Sequence, residues 1–360
     1  MQHIDAKTDG SDRFARAGSA SWHRRLLPRG TAKWLLSLAL QGGGSFGAFT
    51  WGVLDRLLEQ DTVAFDAVSG TSAGAVNAVV LANGLAEGGP AEARARLERF
   101  WERVSNAASL VPFARRDDTW AGANWAGSNW AGSAATAALE LSTRVVSPYH
   151  FNPLGLNPLR DILAEEVDFE RLRAASPIRL LIATTRVKDG RLRLFRDDEI
   201  TLEAVLASTC LPHLHHAVEI EGEWYWDGGY SANPPLRQLV IDAKADDILL
   251  VQVTPETQED VPRLSGDIAR RVSQIAFNSP LQKEVEALAD LRELCKKRRI
   301  FRSRLCSKLQ RLRLHRIAAE DGVEGLGQAS TLNLDWSFLT RLKEGGYHAA
   351  EQWQASLPRR

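Results

Sequence analysis

The sequence has few cysteines and no long apolar run, and both absences narrow the possible folds. Only three of its 360 residues are cysteine, namely Cys210, Cys295 and Cys306. This odd and sparse set argues against a disulfide framework and is typical of a reducing compartment. Nowhere do about eighteen apolar residues follow one another, so we expect a cytoplasmic chain that is at most peripheral to a membrane.

The chain also lacks a charge imbalance and a secretory signal. Its 45 Lys and Arg residues balance 45 Asp and Glu residues, so no net charge draws the whole molecule towards nucleic acid or an anionic membrane. Residues 1–33 are polar and mixed in charge. Because they have no apolar core and no small-residue cleavage site, we expect a disordered leader rather than a signal peptide.

Two strand–turn–helix units open the next part of the chain. The first runs from Trp34–Leu40 through a glycine cluster into a helical pattern over 48–59. The second runs from Ala64–Val68 through Ser69–Gly74 into a helical pattern over 75–86. Two such units in succession predict a parallel sheet covered by helices.

A tryptophan-rich segment interrupts this regular pattern after a predicted helix over 91–105. Trp120, Trp125 and Trp130 are five residues apart, which fits neither the 3.6-residue period of a helix nor the two-residue period of a strand. We therefore expect a loop-rich insertion over about 106–150. Indole side chains favour the membrane interface, so a lid or interfacial anchor is one role for it, and structural packing is the other.

The remaining pattern predicts two hairpins, a further strand and a helical end. Strand-like runs over 178–187 and 192–195 are joined by Asp189-Gly190, and 217–226 turns at Glu221-Gly222. A buried strand is expected over 248–253. Residues 256–360 are predicted to form a mainly helical C-terminal region, with one short strand near 312–317, packed on a domain over 34–255.

The segment Gly70-Thr71-Ser72-Ala73-Gly74 has the G-x-S-x-G pattern of a nucleophile elbow. It follows a predicted strand and opens a predicted helix, as that motif requires. Small flanking residues permit the strained turn that exposes the serine hydroxyl, and the helix N-terminus places a positive dipole end behind it. An ordinary glycine-rich turn is the alternative.

Gly42-Gly43-Gly44-Ser45-Phe46-Gly47 offers several backbone N–H groups at another helix N-terminus. It also satisfies G-x-G-x-x-G, which is the dinucleotide-binding fingerprint. That fingerprint requires an acid at the end of the second strand, where this chain has its serine elbow. An oxyanion hole for Ser72 fits better, because consecutive parallel strands deliver their loops to one edge of the sheet, and a plain turn also remains open.

The base that would activate Ser72 has two kinds of candidate. His213, His215 and His216 suggest a Ser-His-Asp triad or a metal site, although packing or pocket lining is the alternative that we favour. Asp227 ends a strand-like run and is followed by two glycines that allow close approach of a backbone or a substrate. An isolated Asp-Gly-Gly is otherwise typical of a turn.

Taken together, the motifs resemble the patatin-like phospholipase family. The resemblance rests on Leu40–Gly44 leading to Gly47, on Gly70–Ala75, and on Asp227-Gly228-Gly229 with Asn233-Pro234-Pro235, in the family's order and spacing. It covers about residues 34–255 and extends to Ala207-Ser208 and Pro212. It implies a three-layer α/β/α sandwich with a mainly parallel central sheet, in which a Ser-Asp dyad needs no histidine, metal or cofactor.

Carried over by position, the resemblance makes Ser72 the nucleophile and Asp227 the base. The N–H groups of Gly43 and Gly44 would then hold the oxyanion, and Gly42 would shape their loop. The family often carries Arg or Lys where this chain has Phe46, so the charge usually found beside that loop is missing.

The function implied is hydrolysis of carboxylic esters in lipids, of the phospholipase A or esterase type. The alternative is a non-catalytic lipid-binding or regulatory protein on the same fold. Residues 296–316 contain ten Lys and Arg and no acid, which suits docking on anionic lipid or, equally, a solvated surface or pairing with acids elsewhere. Nucleic-acid binding through Arg298 and Arg299 is a third option, and we expect no nucleic-acid partner.

Overall fold

A central eight-stranded sheet organises the computed structural model, which describes residues 33–60, 62–109, 147–258, 260–297, 303–326 and 329–357. Its strands are β1 (Trp34–Leu40), β2 (Val63–Gly70), β3 (Arg179–Arg186), β4 (Leu192–Arg196), β5 (Val218–Ile220), β6 (Glu223–Asp227), β7 (Asp247–Gln252) and β8 (Arg313–Ala318). The strand order is β5-β6-β3-β2-β1-β7-β8, and β4 also pairs with β3. The predicted strands and both predicted hairpins are confirmed.

Helices cover both faces of this sheet. They are α1 (Gly47–Glu59), α2 (Ala73–Ser109), α3 (Pro148–Phe151), α4 (Pro158–Glu166), α5 (Phe169–Ala175), α6 (Leu202–Ser208), α7 (Leu236–Asp242), α8 (Ser265–Lys297), α9 (Arg304–Arg311), α10 (Ala319–Gly322) and α11 (Trp336–Ser356). Along β7, Leu249 and Val251 join one buried cluster, whereas Ile248 and Leu250 join a second. Since side chains alternate across a strand, two cores flank one sheet, and the predicted three-layer sandwich is confirmed.

The middle of the sheet is parallel and one edge is antiparallel. β1 pairs in parallel with β2 and β7, β2 with β3, and β7 with β8, whereas β3 with β4 and β6, and β5 with β6, are antiparallel. The last five of the seven residues of β1 are buried, as expected for a strand covered on both faces. The parallel pairing brings the loops after β1, β2 and β7 to one edge.

The helix that follows β2 is longer than the sequence pattern predicts. Separate helices were expected over 75–86 and 91–105, divided by Gly88-Gly89-Pro90. The structure runs them together as α2, with a break at Gly89, whose φ of 73° lies in the left-handed region. Helical hydrogen bonding resumes after Pro90, since a proline in the first turn of a helix removes no bond that the helix needs.

Two predicted segments lie largely outside the described residues. In the leader only residue 33 is described. In the tryptophan-rich insertion only 106–109 and 147–150 are described. Among the helices of the described ranges, none is both long enough and apolar enough to cross a membrane.

The expectation that the cysteines form no disulfide is wrong for one pair. Cys295 near the end of α8 and Cys306 in α9 are joined, with their Cα atoms 5.4 Å apart. They are separated by 11 positions, and α8 and α9 pack against each other, so the return of the chain brings them together. Cysteine number alone does not reveal such a local pairing.

The described part of the basic stretch is largely paired. Arg311 donates to Asp246 at 3.0 Å, Arg313 bonds Asp247, and Arg316 donates to Glu320 at 2.8 Å. These contacts favour the interpretation that the stretch pairs with acids elsewhere in the chain. Arg298 and Arg299 lie outside the described residues.

Candidate active site

Ser72 stands at a sharp turn between β2 and α2. Its φ of 53° lies in the left-handed region, which is uncommon for a residue with a side chain. Gly74 makes the turn possible, because a Cβ on it would lie 2.1 Å from the backbone oxygen of Leu40. A Cβ on Gly70 would similarly meet the Gly74 oxygen at 2.5 Å. The two glycines of the predicted elbow are thus required because there is no room for a side chain at either position. Ser72 has the kind of strained backbone conformation that is often found at functional positions.

Side chains from distant parts of the chain hold this turn. The Ser72 N–H donates to the Oγ of Ser208 at 3.0 Å, and Ser208 is fully buried at the end of α6. The Thr71 hydroxyl donates to the carbonyl oxygen of Ala232 at 2.8 Å. Because both bonds are buried, the serine backbone is fixed in place independently of its hydroxyl.

Asp227 reaches Ser72 because of the way β6 extends the sheet. β2 pairs with the first half of β3 and ends with Gly70 opposite Ile182. β6 then pairs with the second half of β3, in the opposite direction, and places Asp227 opposite Thr184. Ser72 follows the end of β2 while Asp227 arrives at the end of β6, so the two residues meet beside β3.

The Asp227 carboxylate is fully buried. Its Oδ1 accepts the N–H of Gly229 at 2.7 Å, whereas its buried Oδ2 has no well-formed hydrogen bond among the described residues. Burial raises the pKa of Asp227 to about 7, and the Gly229 N–H and the Ser72 hydroxyl partly counteract this. The Ser72 hydroxyl therefore lies near the carboxylate, although no hydrogen bond of standard geometry joins it to Oδ2. A carboxylate with this pKa can take up a proton near neutral pH.

The glycine loop after β1 lies against the serine. A Cβ on Gly42 would be 2.7 Å from the Cβ of Ser72, and the Gly42 N–H donates to Asn233 Oδ1 at 2.7 Å. Within the described part of the chain, the N–H groups of Gly43 and Gly44 have no acceptor. Gly44 has a φ of 58°, which turns the loop towards α1. Two backbone donors are thus left for a ligand oxygen.

Two residues that position this loop were part of the quoted motifs, but the sequence assigned them no role. Asn233 holds Gly42 through the bond just described. The Oε1 of Gln41 accepts the N–H groups of Val253 and Thr254, both at 2.8 Å, which ties the loop to the end of β7. An amide directly before a glycine loop is the only sequence signal for such a role, and it is a weak one.

Phe46, His215 and His216 are engaged in packing or are largely buried. Phe46 is buried and packs on Phe338, with ring centroids 6.3 Å apart, so its position faces the core. His216 stacks on Tyr149 at 4.1 Å, and burial lowers the pKa of His215, with His216 adding to the effect. Across the described ranges, no group of three or more His, Cys, Asp or Glu residues is placed to hold a metal ion.

Burial also keeps the Cys210 thiol, which lies beside the Asp227 carboxylate, in its protonated form. Cys210 is buried, its Sγ lies 3.0 Å from the carbonyl oxygen of His216, and its own carbonyl accepts the Asp227 N–H at 2.8 Å. Desolvation, reinforced by the negative charge of Asp227, raises the pKa of Cys210 to about 12. A thiol that stays protonated is a poor nucleophile, so Cys210 does not compete with Ser72.

Comparisons with known proteins give similar structures and one matching family model. A structural similarity at 16% identity and a TM-score of 0.40 to VipD from Legionella pneumophila covers 90% of this chain and 67% of that one. Another, to the heterodimeric ExoU–SpcU complex from the type III secretion system of Pseudomonas aeruginosa, has 16% identity and a TM-score of 0.31, and covers 71% of this chain and about half, 52%, of that one. No curated protein matches. The model of the patatin-like phospholipase family matches residues 38–240, more than half of the sequence, and the chain therefore belongs to that family.

Proposed function

We propose that this protein hydrolyses carboxylic ester bonds of lipids, with Ser72 as nucleophile and Asp227 as its base. The observation that carries the proposal is the meeting of a serine in a left-handed turn with a fully buried carboxylate of pKa about 7. Family membership supports lipid esters as the substrate class. The cytoplasmic location expected from the few cysteines is not part of this proposal, because the Cys295–Cys306 disulfide is typical of an oxidising compartment.

Acylation proceeds by attack of the Ser72 hydroxyl on the ester carbonyl. The Oδ2 of Asp227, which has no other donor among the described residues, accepts the hydroxyl proton as the bond to carbon forms. The N–H groups of Gly43 and Gly44 stabilise the negative oxygen of the tetrahedral intermediate, each by about 3 kcal/mol in comparable sites. The proton on Asp227 then passes to the departing alcohol, and an acyl-enzyme is left.

Deacylation repeats the same steps with water. Asp227 takes a proton from the water that attacks the acyl-enzyme, the same amides hold the second tetrahedral intermediate, and the proton returns to Ser72 as the fatty acid leaves. A base works best when its pKa lies near the working pH. Burial, which moves the Asp227 pKa to about 7, gives an aspartate the basicity that is usually supplied by histidine.

Active-site labelling tests the proposal directly. We expect a fluorophosphonate probe to label the wild type, and both labelling and hydrolysis of a short p-nitrophenyl ester to be lost in Ser72→Ala. Ser69→Ala is a matched control, because Ser69 is buried in β2 three positions earlier and its hydroxyl has no partner among the described residues. Asp227→Asn is expected to fold and to lose on the order of a thousandfold in rate.

Three outcomes contradict this assignment. Labelling or turnover that persists in Ser72→Ala rules out that nucleophile, and near-normal turnover of Asp227→Asn rules out that base. A folded wild-type protein that is neither labelled nor active on esters, yet binds lipid, favours the non-catalytic alternative.

A further inference from the structure

An apolar stripe lies on the solvent side of α8 and of the segment that leads into it. Its members are large and exposed, with exposed fractions of 81% for Val261, 71% for Leu264, 45% for Ile268, 60% for Val272 and 53% for Ile275. We call these five residues the outer stripe. Isolated exposed apolar residues are ordinary, but a continuous set on one face marks a binding surface.

The helical period shows that the outer stripe is separate from the core face of α8. Ile268, Val272 and Ile275 follow one another at spacings of four and three, so they share one side of the helix. The opposite side is buried by its core residues, among them Leu281 and Leu288. Beyond Pro280 the side of the helix in line with the outer stripe carries Lys283 and Glu286 instead. Two further exposed leucines of α8, Leu291 at 39% and Leu294 at 54%, lie in its second half and are not part of the outer stripe.

That first half of α8 is attached to the active site. Asn278 Oδ1 accepts the side-chain N–H of Gln41 at 2.8 Å, and Gln41 directly precedes the glycine loop. The carbonyl oxygen of Phe277 accepts from Asn233 at 3.1 Å, and the Phe277 ring lies against Gly229, two positions after Asp227. Ile275 is therefore two positions from Phe277, which contacts both Asn233, the residue that holds Gly42, and Gly229, the residue that donates to Asp227.

Two arginines beside the outer stripe have no acidic partner among the described residues, and these two suit an anionic surface. Between positions 259 and 278 the chain carries three basic residues, Arg263, Arg270 and Arg271, and three acids, Glu259, Asp260 and Asp267. Asp267 pairs with Arg270 at 3.3 Å, whereas Arg263 and Arg271 have no acidic partner among the described residues. Arginines at the edge of an apolar helix face contribute about 1 kcal/mol each on anionic lipid.

We propose that the outer stripe docks the protein on an anionic phospholipid surface, beside the site that takes its lipid. The choice of partner rests on the proposed function. Ser72 is only 7% exposed and Asp227 is fully buried, so an ester in a lipid assembly has to leave that assembly to react. A docking surface on the helix that holds the glycine loop shortens this transfer. The paired arginines of the basic stretch are less suited to the role.

Vesicle co-sedimentation tests the assignment on the full chain. The triple variant Ile268→Gln, Val272→Gln and Ile275→Gln removes the helical part of the stripe, and Ile241→Gln on α7 is the control, because Ile241 is equally exposed at 56%. Each apolar side chain withdrawn from water contributes on the order of tenfold, so we expect at least about a hundredfold weaker binding of the triple variant to mixed phosphatidylcholine and phosphatidylglycerol vesicles. The control is expected to bind like the wild type, and all three proteins to hydrolyse a soluble short-chain ester at equal rates.

The possible results separate this proposal from the proposed function. Unchanged vesicle binding by the triple variant, or equal binding of the wild type to pure phosphatidylcholine, overturns the docking assignment even if ester hydrolysis is intact. A wild-type dimer without lipid that becomes monomeric in the triple variant assigns the stripe to a second copy of the chain and also overturns it. If the wild type binds vesicles, the triple variant does not, and neither hydrolyses esters, then the docking assignment stands and the proposed function is wrong.

Discussion

Replacement of Asp227 by asparagine should make the protein more stable at alkaline pH. The folded protein keeps this carboxyl away from water, with one hydrogen bond from Gly229 and only a weak contact to Ser72. Burial therefore favours its neutral form and raises its pKa from 3.8 to about 7. Asparagine keeps the shape and the oxygen that accepts the Gly229 N–H, and it carries no charge to bury.

The size and sign of the effect follow from the two protonation equilibria. Above pH 7 the carboxylate is charged in both the folded and the unfolded protein, and a displacement of about three pH units costs the folded state about 4 kcal/mol. As the pH falls through about 7, the folded protein binds a proton and the cost shrinks; below the unfolded-state pKa of about 3.9 it disappears. Allowing for unmet hydrogen bonds of the new amide, we expect a gain of about 2 to 4 kcal/mol near pH 8.

Urea unfolding of the wild type and Asp227→Asn across this pH range measures the difference. Asp290→Asn is the control, since Asp290 is exposed in the last third of α8 and its variant should stay within about 0.5 kcal/mol of the wild type at every pH. If Asp227→Asn is no more stable near pH 8, or if its advantage is the same near pH 4, then this carboxyl is not desolvated in the way that the proposed mechanism requires.

Three further predictions concern the base, the elbow and the disulfide. The value of kcat/KM for a soluble ester should rise with pH through about 7, as Asp227 loses its proton, and a flat profile would exclude it as the base. Gly74→Ala should lower the free energy of unfolding by at least about 2 kcal/mol in urea, because its Cβ would overlap the Leu40 oxygen; a neutral effect would contradict the tight elbow. Joint replacement of Cys295 and Cys306 by serine should cost about 2 to 3 kcal/mol in oxidising buffer. Reductant should then destabilise the wild type alone, and an unresponsive wild type would show that the bond does not form.

The sequence predicts the site well where local pattern and chain direction decide the structure. Parallel strands deliver their following loops to one edge, so Ser72 and the glycine loop had to lie near each other once β1 and β2 were recognised. The position of Asp227 required more than pattern, because its contact with Ser72 depends on β6 pairing with β3 just beyond the end of β2. Only the order of motifs in the family pointed to it.

Contacts between distant residues are what the sequence did not predict. The acceptor for the Ser72 N–H is Ser208, 136 positions away, and Gln41 meets Asn278 across 237 positions. No periodicity links such pairs. The outer stripe was missed for a different reason: α8 has apolar residues on two sides, and only packing shows that Leu281 faces the core while Val272 faces solvent.

The C-terminal region packs on the part of the fold that holds the candidate site, although the family match ends at residue 240. β8 extends the central sheet by pairing with β7, and α11 packs along α1, the helix that begins at the glycine loop. Asn278 accepts a hydrogen bond from Gln41, the residue before the glycine loop. One of the contacts that position the Gly43 and Gly44 N–H groups therefore comes from beyond the matched range. That same helix carries the outer stripe, so the proposed docking surface and the residue that fixes Gln41 lie on a single helix of the C-terminal region.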